Sequence, residues 1–493
     1  SQNTLHDKLL QLECHFTWNL KKEEIKMNDL EMTILENIQF CKEKYKGKLY
    51  NNLAYVKHLQ GYNEEALKYL KQAEAITKKD HEDEFEKLAI VTYGNFAWVY
   101  YHMHKLTQAE SYLEKLEDIC KMFPTASRYS VLLPAVYGEK GWSFLKVCDE
   151  KHYKIAKECF ERALEEEPDE KEWNADYAIV LYRLETFGPS VCAEDSVALK
   201  QLKHALELWF ENPLKRALEL DPENPVLMVH LGMKLQVYEQ NEEALELVNQ
   251  ALRLSPNNPQ IARYAARFFR KYGCPDKSLA ILKEALQAAP NSYSLHSQLG
   301  LTYKSKIGKF QGQWNQDPTE VEKFVKLSIL YFEKAVRMKP SNIQDQVDLA
   351  HVYAESGDIK KAEDIYQKLF EMPVTWLDDI QTIHFCFGSF QFHYKKSEPD
   401  AIKHYKIGLQ IQNTSSRGNQ CYAQLQKIAR KHIARNPRNA EGFAILGSSH
   451  QLRNELPEAL DSYEKALQLD PGNERYKSTV SDLRVTLQWK CTV

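Results

Sequence analysis

The chain has 493 residues, 43% of them hydrophobic and 27% charged, with only 18 glycines and 18 prolines, and so carries ample apolar material for an extended buried core. Its formal net charge of −4 excludes a globally basic, non-specific nucleic-acid binder; any anion site must be local, since acidic outer faces are screened beyond about 8–10 Å at physiological salt. No apolar run approaches a membrane span, and the opening Ser1-Gln2-Asn3-Thr4-Leu5-His6-Asp7-Lys8 lacks a signal-peptide pattern, which predicts a soluble, cytoplasmic protein without membrane contact.

In chain order, Asp29, Thr33 and Asn37 first recur every four residues and share one face of a predicted helix. From there the chain repeats. Ala54, Ala66, Leu70 and Ala73 lie on a grid of twelve, four and three residues that returns at Ala97, Ala109 and Leu113, and at Ala350, Ala362 and Tyr366. Gly232, Ala244, Val248, Ala251 and Pro256 extend it by a closing proline, as do Ala266, Ser278, Leu282, Ala285 and Pro290, and Gly447, Ala459, Tyr463, Ala466 and Pro471. This is the ~34-residue tetratricopeptide pattern, in which small residues let two helices cross closely and a larger side chain fills the gap between them. The proline ends the second helix. The predicted fold class is all-α, a tetratricopeptide-repeat solenoid whose core lies between neighbouring repeats.

Some copies are interrupted. Phe160, Ala163 and Pro168 close a repeat opened around Gly141-Trp142, after extra residues at Asp149-Glu150-Lys151. Gly300 opens another that Ser328, Phe332, Ala335 and Pro340 close only after a polar insertion from Lys306 to Thr319, and the Phe387-Gly388 copy carries a single extra residue. Such insertions mean loops or longer helices. The long one is either a lid or a plain loop.

Two segments carry candidate chemistry. Trp142 stands beside Lys146, with Tyr153 and the run Tyr177 to Arg183 following. It is either repeat core or a platform for a base, where stacking contributes ~1–3 kcal/mol per base while cations hold the phosphates. Farther on, Arg263, Arg267 and Arg270 are spaced by four and three and so share one helix face, opposite the residues the repeat buries. With Ala266 as the eighth position of the first helix, they fall at inward-looking positions five, nine and twelve. A solvated face is the plain alternative, but no acidic residue lies among them to form a helical ion pair, which favours an anion partner. A basic run, Lys427 to Arg438, follows near the end.

Catalysis finds no support: no phosphate-binding GxxxxGK[ST] loop, HExxH, GxSxG or GxGxxG stands in the sequence. A non-enzymatic binding protein is predicted. The ten cysteines form no CxxC pair and no zinc-type spacing, as expected of free thiols in a reducing compartment.

The segments Cys14-His15-Phe16-Thr17-Trp18-Asn19, Tyr50 to Leu59, Tyr93 to His102, Gly141-Trp142 and Arg263-Tyr264-Ala265-Ala266 give the chain a further identity. Over nearly its entire length it resembles the interferon-induced proteins with tetratricopeptide repeats. The resemblance implies a superhelix of three subdomains, here 1–134, 135–325 and 326–493, enclosing a positively charged tunnel. It implies an antiviral effector of innate immunity that captures the 5′ end of foreign single-stranded RNA, bearing a triphosphate or a cap whose first nucleotide lacks 2′-O-methylation, and blocks its translation. Other members of the family are implied as partners; DNA is not.

The same resemblance assigns residues. Lys146, Arg183 and Arg263 match positions that hold the 5′ phosphates, with Tyr153 and Tyr264 as tunnel-lining tyrosines. Trp142 and Ile179 match the pair that sandwiches the cap guanine. Arg270 and Gln298 match positions along the RNA path, to which Arg267 adds by geometry and Lys427 and Lys431 by the basic run. Asp29, Thr33 and Asn37 are similar to a Glu/Thr/Gln trio near the phosphates that helps hold a metal ion; Asp29 is the metal candidate, Mg2+ being admitted but no cofactor required. An arginine stands at the place of Thr33 in cap-binding relatives, which leans this chain toward triphosphate ends. Gln260, Ser297 and Val226 replace a tyrosine, a histidine and an aromatic of those relatives, leaving fewer partners for the first bases. The alternative is a peptide-binding repeat scaffold whose arginines clamp an acidic segment or another family member.

Overall fold

The computed structural model describes residues 2–40, 46–210, 224–310, 318–374 and 376–490. Among these the chain is helical, without a strand, and no helix is long and apolar enough to cross a membrane. It divides into two compact units, Ser1–Tyr272 and Gly273–Val493. The subdomain boundary expected at 325 falls inside the continuous helix Pro318–Met338.

The repeat grid maps directly onto helix pairs. Gly47–Leu59 packs on Asn63–Asp80, Phe85–His102 on Leu106–Cys120, Pro134–Leu145 on Glu150–Glu166, and Ala440–Leu452 on Leu456–Leu469. Ala54, Ala66, Leu70 and Ala73 are fully buried, as are Ala350 and Ala362. The small residue at each crossing is enforced by space. A Cβ on Gly447 would stand 2.6 Å from Cδ2 of Tyr463, and one on Gly300 2.8 Å from Cδ1 of Phe332. Helices ending at Glu166, Leu254, Ala288, Met338 and Leu469 each stop two residues before a proline of the grid, because a residue preceding proline is pushed out of helical conformation.

The described parts of the insertions are absorbed at helix ends. Asp149 caps Glu150–Glu166, its carboxylate accepting from the amide of His152 at 2.8 Å. The insertion after Gly300 lengthens two helices, Tyr293–Phe310 and Pro318–Met338; the part at 311–317 lies outside the described residues. The single extra residue after Gly388 becomes a π-helical turn, Gln391–Lys395, the usual geometry of a one-residue insertion in a helix.

The Cys14-to-Trp18 segment is a buried cap. Cys14, His15 and Trp18 are buried, and the His15 ring joins two helices: Nε2 lies 3.0 Å from the Ser143 hydroxyl and Nδ1 3.0 Å from the Asn95 amide nitrogen. Ser143 also accepts from Asn52 at 2.7 Å.

Candidate nucleic-acid interface

Three segments of the first unit build the cationic cluster. Helix Lys171–Leu184 carries Ile179 and Arg183, helix Pro259–Tyr272 carries Arg263 and Tyr264, and Lys146 ends helix Pro134–Leu145 just beyond Trp142. Arg183 donates from Nη2 to the Tyr264 phenol oxygen at 2.8 Å, while the Arg263 guanidinium lies 4.6 Å from the centre of the same ring. Among the described residues no carboxylate pairs with Arg183, Arg263 or Lys146. Burial alone raises a phenol's pKa, yet Arg263, Arg183 and Lys146 outweigh it here and hold Tyr264 at about 8. Three uncompensated cations around one buried phenol make a strong anion field. Tyr153 is buried alongside, its phenol pushed up first by burial and then by the Cys148 thiol, against the pull of Arg183.

A fourth member of the cluster carries no spacing signal in the sequence. His230, on helix Pro225–Val237, places its ring 4.5 Å from that of Tyr264 and 5.6 Å from Tyr182, edge to face. Its Nδ1 donates to the Val226 carbonyl at 2.8 Å, which leaves Nε2 as an acceptor. Burial, then Arg183, lowers its pKa to about 3, so it remains neutral and adds bulk without charge. Val226, where an aromatic was expected to be missing, therefore serves through its carbonyl.

The arginine stripe divides. On helix Pro259–Tyr272 Ile261, Ala262, Tyr264, Ala265, Ala266, Phe268 and Phe269 are buried, Arg263 and Arg270 are half-buried and Arg267 is exposed. Desolvation, then Arg267 and Arg270, lower the pKa of Lys271 on the same helix. Gln298, Lys427 and Lys431 belong to the second unit. Gln298 is half-buried on helix Tyr293–Phe310, and both lysines are exposed on Ser416–Arg435. Ser297 is committed elsewhere, donating to buried Asp345 at 2.7 Å.

Trp142 sits in the core, 1% exposed, and the Lys146 ammonium lies 4.7 Å from its ring centre. Its burial matches the repeat-core reading, and the ring also has a cation over it. Ile179 packs half-buried against the same core. In the Met27–Phe40 helix, Thr33 donates to the Asp29 carbonyl at 2.9 Å, and Asn37 is buried whereas Thr33 is exposed. The trio supplies one carboxylate, and no group of three or more metal-ligating side chains occurs among the described residues. That fits Mg2+ only as an ion that takes most of its ligands from phosphates and water.

The second unit holds a cavity of about 580 Å3 that the sequence did not announce, lined by Lys304, Asp348, His351, Phe385, Tyr394 and Arg417 among others. Lys304 pairs with Asp348 at 2.6 Å. Arg417 donates to the Gln344 amide oxygen at 2.9 Å and lies 5.0 Å from the Phe385 ring centre.

Fold and cluster together define a class: a tetratricopeptide-repeat protein with a local, carboxylate-free cationic site on an otherwise acidic chain. Tetratricopeptide-repeat models match residues 45–122 and 346–373. The chain is 40% identical to the human protein IFIT1 homolog B over 94% of its own length and 96% of the relative's, and 40% identical to the human antiviral innate immune response effector IFIT1 over 94% and 95%. Human interferon-induced protein with tetratricopeptide repeats 2 is 33% identical over 95% and 96%. It belongs to the family of interferon-induced proteins with tetratricopeptide repeats. Among solved structures, the human IFIT1 dimer with m7Gppp-AAAA superposes with a TM-score of 0.78 at 38% identity, and the same dimer with PPP-AAAA with 0.76 at 38%, each covering 94% of this chain and 99% of that one.

Proposed function

We propose that this protein binds the 5′ end of non-self single-stranded RNA, carrying a triphosphate or a cap without 2′-O-methylation, and thereby blocks its translation in the cytoplasm as an innate antiviral effector. One observation carries the reading: Arg183, Arg263 and Lys146 surround Tyr264 with no paired carboxylate among the described residues, while human IFIT1, matched over 94% of this chain, was solved with m7Gppp-AAAA and PPP-AAAA. Lys146, Arg183 and Arg263 take the terminal phosphates, Tyr153 and Tyr264 wall them, Trp142 and Ile179 hold a first base or cap, and Arg267, Arg270, Gln298, Lys427 and Lys431 track the strand. Mg2+ near Asp29 assists without being required, and no reaction is catalysed.

The test is a binding panel at fixed salt with one RNA bearing 5′-hydroxyl, monophosphate, triphosphate, unmethylated cap or 2′-O-methylated cap. Preference for triphosphate or unmethylated cap is expected; equal binding of all five would refute the reading. A second reading, a scaffold for an acidic peptide or another family member, draws on the second-unit cavity, where Arg417 is held by an amide. Arg417→Met would then abolish binding of an acidic peptide and spare the RNA end preference.

A further inference from the structure

Trp142 has a second cation over it. Lys48, in the first turn of helix Gly47–Leu59, places its ammonium 5.3 Å from the centre of the Trp142 ring. Its side chain is 7% exposed, and Nζ lies 3.6 Å from carboxylates of both Glu172 and Asp176, themselves 12% and 15% exposed. These acids do not stand alone on their helix. Glu172, Asp176, Ile179 and Arg183 follow at intervals of four, three and four, so one stripe of helix Lys171–Leu184 runs from the acids that hold Lys48 to the arginine that holds Tyr264. Trp142 and Lys146, four apart, form the facing stripe. At the phosphate end, cations stand without carboxylates. At the other end, a lysine tied to two carboxylates lies over the Trp142 ring.

A cation over an indole face is itself a stabilising contact, of the order of 0.5–2 kcal/mol, and an incoming nucleobase needs a face of that ring to stack. The two compete. Lys48 also has somewhere to go. It lines a narrow cavity of about 30 Å3 with Asn51, Gly138, Glu139 and Trp173, room for one water, in which buried Glu139 accepts from Asn51 at 2.8 Å. Glu139 on the cavity wall also feels the ammonium: burial raises its pKa to about 7, against the pull of Asn51 and Lys48.

We infer that Lys48 is a displaceable internal plug over Trp142, a specificity residue that favours phosphate-terminated ends and makes a terminal base pay for admission by moving the ammonium. This rests on the proposed binding of RNA 5′ ends at Lys146, Arg183 and Arg263. An end that stops at its phosphates leaves Lys48 in place. One that continues through phosphates into a further base must evict it.

Two variants test this in the full-length chain: Lys48→Ala, which removes the second ammonium and leaves Lys146 over the ring, and Lys48→Met, which keeps the volume and removes the charge. Binding of triphosphate-ended and unmethylated-cap-ended RNA of one sequence is measured, with 5′-hydroxyl RNA as reference and thermal melting as the check on folding. Affinity for the capped end is expected to rise about tenfold in Lys48→Ala, the scale of one base stack, and less in Lys48→Met, with triphosphate affinity changed less than about threefold. If Lys48→Ala does not fold, a rise in Lys48→Met alone still supports the plug. An unchanged ratio of capped to triphosphate affinity in folded variants overturns the inference while leaving 5′-end binding intact. Loss of triphosphate binding in both would make Lys48 a phosphate ligand and overturn it too. Wild-type protein that binds all three ends alike instead refutes the underlying reading.

Discussion

Arg183 and Tyr264, 81 residues apart in the chain, are joined by a 2.8 Å hydrogen bond at the centre of the cationic cluster. The phenol is a weak acid held among three cations, and its pKa of about 8 puts its ionisation within experimental reach. As tyrosinate it would cancel one positive charge where phosphate is to bind. Affinity for a 5′-triphosphate is therefore expected to be level below pH 8 and to fall above it, by up to tenfold per pH unit. Tyr264→Phe should remove the fall. A wild-type profile that stays level to pH 9.5 would contradict the cluster's electrostatics.

The guanidiniums should matter individually. Arg263→Ala or Arg183→Met is expected to weaken triphosphate RNA by about 10–100-fold, since hydrogen bonds to charged groups contribute ~1.5–3 kcal/mol. Binding of 5′-hydroxyl RNA should change far less. Each substitution should also lower the slope of log affinity against log salt by about 0.7, one counterion's share on a single strand. Fluorescence anisotropy at four salt concentrations measures both; equal losses for both RNAs would point to damage to the fold.

Acid should destabilise the first unit through buried neutral histidines. His15 and His230 are each lowered to about 3 by burial, His15 against its Asn95 hydrogen bond and His230 with help from Arg183. A base whose folded pKa is depressed contributes stability that is whole above its unfolded pKa near 6.5 and is lost as pH falls toward the folded value. Each group then contributes a slope of about 1.4 kcal/mol per pH unit across that window. Urea midpoints at pH 7, 6 and 5 report the sum. His230→Leu should flatten the slope by one proton; a slope identical to wild type would show that His230 is protonated in the fold.

Packing at the helix crossings should be intolerant of added volume. Gly447→Val directs new atoms into Tyr463, 2.6 Å from the Cβ position, and is expected to cost about 1–3 kcal/mol. Thermal melting should show the loss in the second unit. No shift would mean that the Ala440–Leu452 and Leu456–Leu469 helices separate easily.

The fold was legible because its signal is local. The twelve-four-three-five grid needs only a window of one repeat, and it located Ala54, Ala66, Phe332, Tyr463 and the helix-ending prolines; even the lone extra residue after Gly388 surfaced as a π-turn. The candidate site was legible only in pieces. Arg263 stood out by spacing and Lys146 and Arg183 by resemblance, but the Arg183–Tyr264 bond, the intrusion of His230 and the reach of Lys48 to Trp142 join separate repeats. The periodicity encodes which residues meet within a repeat, as Gly447 and Tyr463 do, and not which side chains of separate repeats converge. Trp142 shows the limit well, since its spacing gave no sign of the two ammonium groups that lie over its ring.

The cap built on His15 has a consequence for how the molecule is made. Its partners Asn95 and Ser143 lie 80 and 128 residues downstream, so during synthesis His15 emerges early yet meets both partners late. Until Ser143 clears the ribosome, the His15 ring lacks one of its two hydrogen-bond partners. The His15 contacts are thus completed late, and completing them ties the opening segment to two helices of different repeats.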